Sequence, residues 1–164
     1  MTLPTEFAPT YPREAMESGG EVKYIRFPSD VSRRKANWIP EVMDHPAKAN
    51  VWLVEELVRY TSLPGQRVMD ITSGTGTLLL AAQQGRHVTC IELNSEYAEW
   101  IRLSAKKMQL PESSYMVLEG DCRQYLPLQC QSIIFSPPYS SVMQPGGGVF
   151  NEDLVARKNY QRYM

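Results

Sequence analysis

Residues 67–77 read Arg67-Val68-Met69-Asp70-Ile71-Thr72-Ser73-Gly74-Thr75-Gly76-Thr77. A short apolar run closes on an acid, two glycines follow one residue apart, and Leu78-Leu79-Leu80-Ala81-Ala82 comes next. That order spells a buried strand over 67–71, a tight turn, and a helix over about 77–84 that Gly85 closes. At Gly74 and Gly76 the backbone can come close to a ligand, because no Cβ stands in the way. A dinucleotide fingerprint requires a third glycine at position 79, where Leu79 stands, and the lysine of a phosphate-cradling loop is also missing. The ligand expected at this turn therefore lacks a pyrophosphate or triphosphate.

On the amino-terminal side, Val51, Val54, Leu57 and Val58 recur at helical spacing between Pro46 and the Pro64-Gly65 break. On the carboxyl-terminal side, residues 87–93 form a second strand. Asn94 or Ser95 caps a helix with Tyr97, Ile101, Ala105 and Met108 on one face, and Pro111 lies beyond its end. Residues 115–118 and 132–135 are two further strands. The alternation predicts a Rossmann-like α/β fold: a mainly parallel sheet, helices on both faces, and ligands at the carboxyl ends of the strands.

Glu92, with Leu93 beside it, ends the second strand and is placed to accept hydrogen bonds from both hydroxyls of a ribose. Asp121, followed by Cys122, ends the third strand near where an adenine amino donor would lie. Together with Asp70 these carboxylates suit a cofactor with a ribose, amino donors and a positive charge, and they repel a polyphosphate. S-adenosyl-L-methionine, whose sulfonium is cationic, meets that description. At the end of the fourth strand stands Ser136-Pro137-Pro138-Tyr139. Its prolines fix φ twice and remove two backbone donors, leaving a rigid loop. Such a loop can offer the Ser136 hydroxyl and the Pro137 carbonyl to one planar amino group, with the Tyr139 ring free to stack on an extruded base.

These motifs resemble the amino-methyltransferases of DNA, which methylate the exocyclic nitrogen of cytosine or adenine. The resemblance spans about residues 45–139 and implies a class I methyltransferase fold with seven strands. His45, Pro46 and Lys48 look like the element preceding the first helix, on the methionine side of the cofactor pocket. Asp70, Thr72, Ser73, Gly74, Gly76 and Thr77 resemble the Gly-rich cofactor loop. By the same likeness Glu92 with Leu93 is the ribose end of the pocket, and Asp121-Cys122 contacts adenine. Ser136, Pro137, Pro138 and Tyr139 resemble the catalytic tetrapeptide, whose serine form is usual in the cytosine-N4 branch. The resemblance implies DNA with a flipped-out target base as substrate, in restriction-modification or phage-type modification. An adenine-N6 enzyme, an RNA or protein amino-methyltransferase, and a non-catalytic binding fragment stand as alternatives. A ring-carbon cytosine enzyme needs a cysteine nucleophile after a proline, whereas Gln129 precedes Cys130.

Composition bounds the rest. The chain has 164 residues, 43% hydrophobic and 21% charged, so it is neither disordered nor a disulfide scaffold. Lys plus Arg number 17 against 18 Asp plus Glu, a net charge of −1, so no global positive field recruits nucleic acid. Between residues 23 and 48, six basic side chains (Lys23, Arg26, Arg33, Arg34, Lys35, Lys48) outnumber three acidic ones, with Tyr24, Phe27 and Trp38 interspersed. That stretch reads either as a patch that tracks a phosphate backbone or as an arm packed through its aromatics. Residues 78–82 form the longest strongly apolar run, far short of a bilayer span, and the amino terminus lacks a signal pattern. A cytoplasmic protein without membrane contact is expected. The three cysteines are odd in number and lack metal-ligand spacing, so they read as structural thiols and no metal site is expected.

The expected layout is an irregular, Pro-rich, locally basic arm over 1–44, a partial catalytic domain over 45–139, and a Gly-rich loop with a polar tail over 140–164. Four strands are accounted for by Phe135. Three more with their helices need roughly 60 residues by average element lengths, more than the 25 of positions 140–164. A separate chain supplying the missing strands, or target recognition, is the expected protein partner.

Overall fold

The computed structural model describes residues 14–17, 23–45 and 48–137. Pro46, Pro138, Tyr139 and residues 140–164, for which the sequence carries expectations, lie outside these. Strands β1 (Glu14–Glu17) and β2 (Lys23–Arg26) pair antiparallel, with Glu14 opposite Arg26. Helix α1 (Val31–Asn37) and a 3-10 turn (Pro40–Asp44) follow, so the arm from Val31 onward is helical where its prolines suggested irregular chain. The reason is a stripe at helical spacing, Asp30, Arg34 and Trp38, which buries itself against the sheet domain. Arg34 and Trp38 are each 1% exposed. They are core residues, and a phosphate-tracking patch that includes them is thereby corrected.

Helix α2 (Val51–Thr61) starts where Asn50 caps it, its side-chain oxygen accepting from the Trp52 and Leu53 N–H groups. It buries Val51, Val54, Glu55 and Val58, and Leu57 sits nearer solvent. Glu55 takes the inward place because Arg33 and Gln84 hydrogen-bond its carboxylate. Strand β3 (Arg67–Asp70) leads into the Gly-rich turn, after which a 3-10 turn (Thr77–Leu79) precedes the short helix α3 (Leu80–Gln83). Then come β4 (His87–Glu92), α4 (Ser95–Lys107) capped by Asn94, β5 (Tyr115–Glu119) and the two-residue β6 (Ser132–Ile133).

The four later strands form one parallel sheet in the order β5-β4-β3-β6. Such an order puts the two earliest strands, β3 and β4, at the centre, and their carboxyl ends face the crevice where ligands bind in this architecture. Register sorts the side chains. Val68, Val88, Cys90, Tyr115, Val117 and Ile134 share the layer that packs with α2, α3 and α4 into the main core. Met69 and Ile91 point the other way and are fully buried, while Met116, Ile133 and Phe135 on that face stay about half exposed. Among the described residues no helix is long and apolar enough to cross a membrane.

Candidate active site

Asp70, the last residue of β3, accepts the Thr72 N–H at 2.9 Å, which folds the chain back into the turn. The Ser73 hydroxyl donates to the Asp70 carbonyl at 3.0 Å, and its N–H donates to the Ile91 carbonyl on β4 at 3.0 Å. Gly74 then donates its N–H to Glu92 Oε2 at 2.7 Å, while Glu92 Oε1 accepts from Asn94 N–H at 2.9 Å. The Gly-rich loop is thus tied to the neighbouring strand by backbone and by carboxylate.

Two glycines in the loop have different reasons to be glycine. Both have positive φ, 52° at Gly74 and 73° at Gly76. At Gly74 an added Cβ would meet only His45, at 3.8 Å, an ordinary contact. At Gly76 it would stand 2.9 Å from Ile101 Cγ1, so this glycine makes room for the seating of α4. Thr77 is likewise buried and accepts from Arg34 Nη1 at 3.2 Å, and the Trp38 indole donates to the Gly76 carbonyl at 3.2 Å. Lys48 donates to the carbonyls of Met43 and His45, so it pins the turn that holds His45. Gly76, Thr77 and Lys48 are thus each engaged by other parts of the chain: by Ile101 and Trp38, by Arg34, and by the Met43 and His45 carbonyls, respectively. His45 itself is buried, edge-on to Tyr97 with ring centroids 4.8 Å apart.

Burial pushes the Asp70 carboxyl up to about 7; the Thr72 N–H opposes the rise and the Glu92 charge adds to it. Glu92 is also raised, by burial first, against the N–H groups of Asn94, Gly74 and Leu93. Two carboxylates in one partly dry corner favour a cationic ligand. Asp121 differs. Its carboxylate is gripped by the Arg123 side chain and also accepts the Arg123 N–H, which holds it below the ordinary carboxylate value. Cys122 beside it is half-buried, and Cys90 is fully buried with a thiol pushed up to about 12, which leaves it unreactive.

At the neighbouring strand end, Ser136 and Pro137 are exposed as the chain leaves β6. The Thr72 hydroxyl donates to the Ser136 carbonyl at 3.0 Å, so the Gly-rich loop and the start of the tetrapeptide are in direct contact. Arg34, Trp38, Tyr97 and Arg123 were not among the site residues expected from the sequence. The i, i+4, i+8 series of Asp30, Arg34 and Trp38 was the signal for two of them.

A family model described as DNA methylase, of the N6/N4 type, matches residues 14–105, more than half of the chain. The chain belongs to this DNA methylase family. The same family member is similar to an uncharacterized RNA methyltransferase of Protochlamydia amoebophila, with 30% identity over 105 residues covering 59% of this chain and 24% of the relative. TrmN from Thermus thermophilus superposes with a TM-score of 0.52 at 25% identity, over 60% of this chain and 31% of that one. A protein assigned as a methyltransferase from Porphyromonas gingivalis gives a TM-score of 0.52 at 21% identity, over 68% of this chain and 32% of its own. This chain accordingly spans about a quarter to a third of the length of these relatives.

The cofactor of the DNA methylase family is S-adenosyl-L-methionine, and the residues present fit it. Both Glu92 oxygens accept backbone N–H groups, and a carboxylate with about four acceptor positions would have capacity left for a ribose hydroxyl. Leu93, 58% exposed beside Glu92, offers an apolar face to a flat base. Asp70, when ionised, would supply negative charge to a sulfonium or ammonium group.

Proposed function

We propose that this chain carries the cofactor-binding and catalytic part of an S-adenosyl-L-methionine-dependent methyltransferase acting on the exocyclic amino nitrogen of a DNA base, cytosine N4. One observation carries the reading: the Gly-rich loop of β3 and Ser136-Pro137 at the end of the adjacent β6 meet at one crevice, beside Asp70 and Glu92. Methyl donor and amine acceptor would then lie on neighbouring strand ends.

When bound, the cofactor supplies a methyl carbon on a cationic sulfur that can leave with the C–S electron pair. The chain's own residues do the orienting. Glu92 would hold the ribose, Leu93 the adenine face, and Asp70 the positively charged end. The Ser136 hydroxyl and the Pro137 carbonyl would accept the two amino hydrogens, so that the nitrogen lone pair points at the methyl group and the departing proton has an acceptor beside it. Tyr139 would stack on the flipped base. No covalent base adduct is required, in keeping with a site that places no cysteine at the tetrapeptide. Ser136, a neutral hydroxyl, favours cytosine. The family description supports DNA as substrate, and residues 45–139 form the catalytic portion in this scheme.

RNA is the second reading, favoured by the 30% identical relative that bears the name of an RNA methyltransferase. Incubation with methyl-labelled cofactor and either DNA or RNA, followed by digestion to nucleosides, decides between them. N4-methylcytosine in DNA is the expected product. Methyladenine alone would overturn the choice of base, and label confined to RNA would overturn the choice of nucleic acid.

A further inference from the structure

Parallel pairing of β3 with β6 runs Val68 to Ser132 and Met69 to Ile133, and the last backbone bond of the ladder is Ile134 N–H to the Met69 carbonyl at 2.9 Å. Beyond it the two strands must part, since β3 turns into the Gly-rich loop and β6 enters the Ser136-Pro137 segment. Proline contributes no N–H, so Pro137 cannot extend the ladder by itself. One bond nevertheless spans the gap: the Thr72 hydroxyl donates to the Ser136 carbonyl at 3.0 Å. Thr72 is in turn held by its own N–H to Asp70 Oδ1 at 2.9 Å.

We infer that Thr72 is a positioning residue for the amine-binding tetrapeptide, and not a contact for the cofactor. Holding the Ser136 carbonyl toward the Gly-rich loop fixes the plane of the Ser136-Pro137 peptide. That plane sets where the Pro137 carbonyl, the next acceptor along, is presented. Because the Asp70 end of Thr72 lies in the cofactor corner, the same residue mechanically joins the two halves of the crevice. The inference rests on the function proposed above for its catalytic consequence, whereas the bond itself can be tested without it.

Thr72→Val keeps the shape of the side chain and removes the donor, and Thr72→Ser restores the donor. In the full chain Thr72→Val is expected to lower kcat about tenfold, the worth of one net hydrogen bond, with cofactor affinity measured by S-adenosylhomocysteine calorimetry changed less than twofold. Thr72→Ser should return kcat to within about threefold of the parent. Equal loss in both variants, or a Thr72→Val effect confined to cofactor affinity, overturns the inference. A second readout does not need turnover. Ser136-Pro137 is the one Ser-Pro pair in the chain, so carbonyl-13C serine with 15N proline labelling isolates the Ser136 carbonyl in one NMR signal. That signal should shift in Thr72→Val and stay in Thr72→Ser. An unshifted carbonyl in Thr72→Val refutes the bond. A shifted carbonyl in a protein that transfers no methyl refutes the proposed function and leaves the positioning bond intact.

Discussion

Asp70 carries the pH dependence of this site. Its carboxyl titrates near 7, far above the usual 3.8, mainly because it is buried. A cationic cofactor favours the ionised form, so affinity should fall about tenfold between pH 8 and pH 6 if only that form binds. Calorimetry at the two pH values checks this, and Asp70→Asn should flatten the profile at low affinity. The sign for stability is opposite. With a raised folded-state value, the contribution of Asp70 is fully present below 3.8 and is lost as pH rises through about 7. Asp70→Asn should therefore raise the melting temperature at pH 8 and leave it nearly unchanged at pH 4. The two loop glycines give a second contrast. Gly74→Ala meets only backbone strain, about 1–2 kcal/mol. Gly76→Ala adds a clash with Ile101 and should cost about 2–4 kcal/mol in urea unfolding, part of which Ile101→Ala recovers.

Helix α1 is short, seven residues, and would not form alone. Its stability comes from what Arg34 reaches: Asp30 at 2.8 Å, the Ala49 carbonyl at 2.7 Å and Thr77 at 3.2 Å, with the guanidinium over the Trp38 ring. Asp30 also accepts the Val51 N–H at 2.9 Å, so one buried ion pair joins the arm, the start of α2 and the exit of the Gly-rich loop. Burial works against the Asp30 charge, but the Val51 N–H and Arg34 outweigh it and hold the carboxyl below its ordinary value. Arg34→Ala should cost about 3–5 kcal/mol, because Asp30 is left without its cation, and the double change Arg34→Ala with Asp30→Ala should cost less than the sum of the two singles. Trp38→Phe loses the bond to the Gly76 carbonyl and leaves a void where part of the indole stood, for about 2–4 kcal/mol. Unfolding curves of the four proteins decide both points.

For the molecule as a whole, a cofactor that ties β3, β4 and the Gly-rich loop together should act on global stability. At a hundred times its Kd, S-adenosylhomocysteine should add about 2.7 kcal/mol, roughly 5–10 °C in Tm for a chain of this size. ATP, whose phosphates meet Asp70 and Glu92, should give no shift under the same conditions. A larger shift with ATP than with S-adenosylhomocysteine would overturn the reading of the site as one for a phosphate-free ligand.

The alternation of apolar runs with Gly and Pro breaks was enough to place β3, β4, β5 and α4 within a residue or two and to bracket α2, and the missing glycine at Leu79 already turned the site away from phosphate. Those features are local, set by side-chain periodicity and by φ, and they survive reading along one dimension. Partnership is not local. Whether Arg34 faces solvent or the core, and whether Gly76 makes room for a ligand or for Ile101, depend on which groups the folded chain brings within about 3 Å. Thr72 shows the difference most plainly. Its place in the Gly-rich turn was legible, but its partner lies 64 positions away, and only the parallel pairing of β3 with β6 carries Ser136 to it.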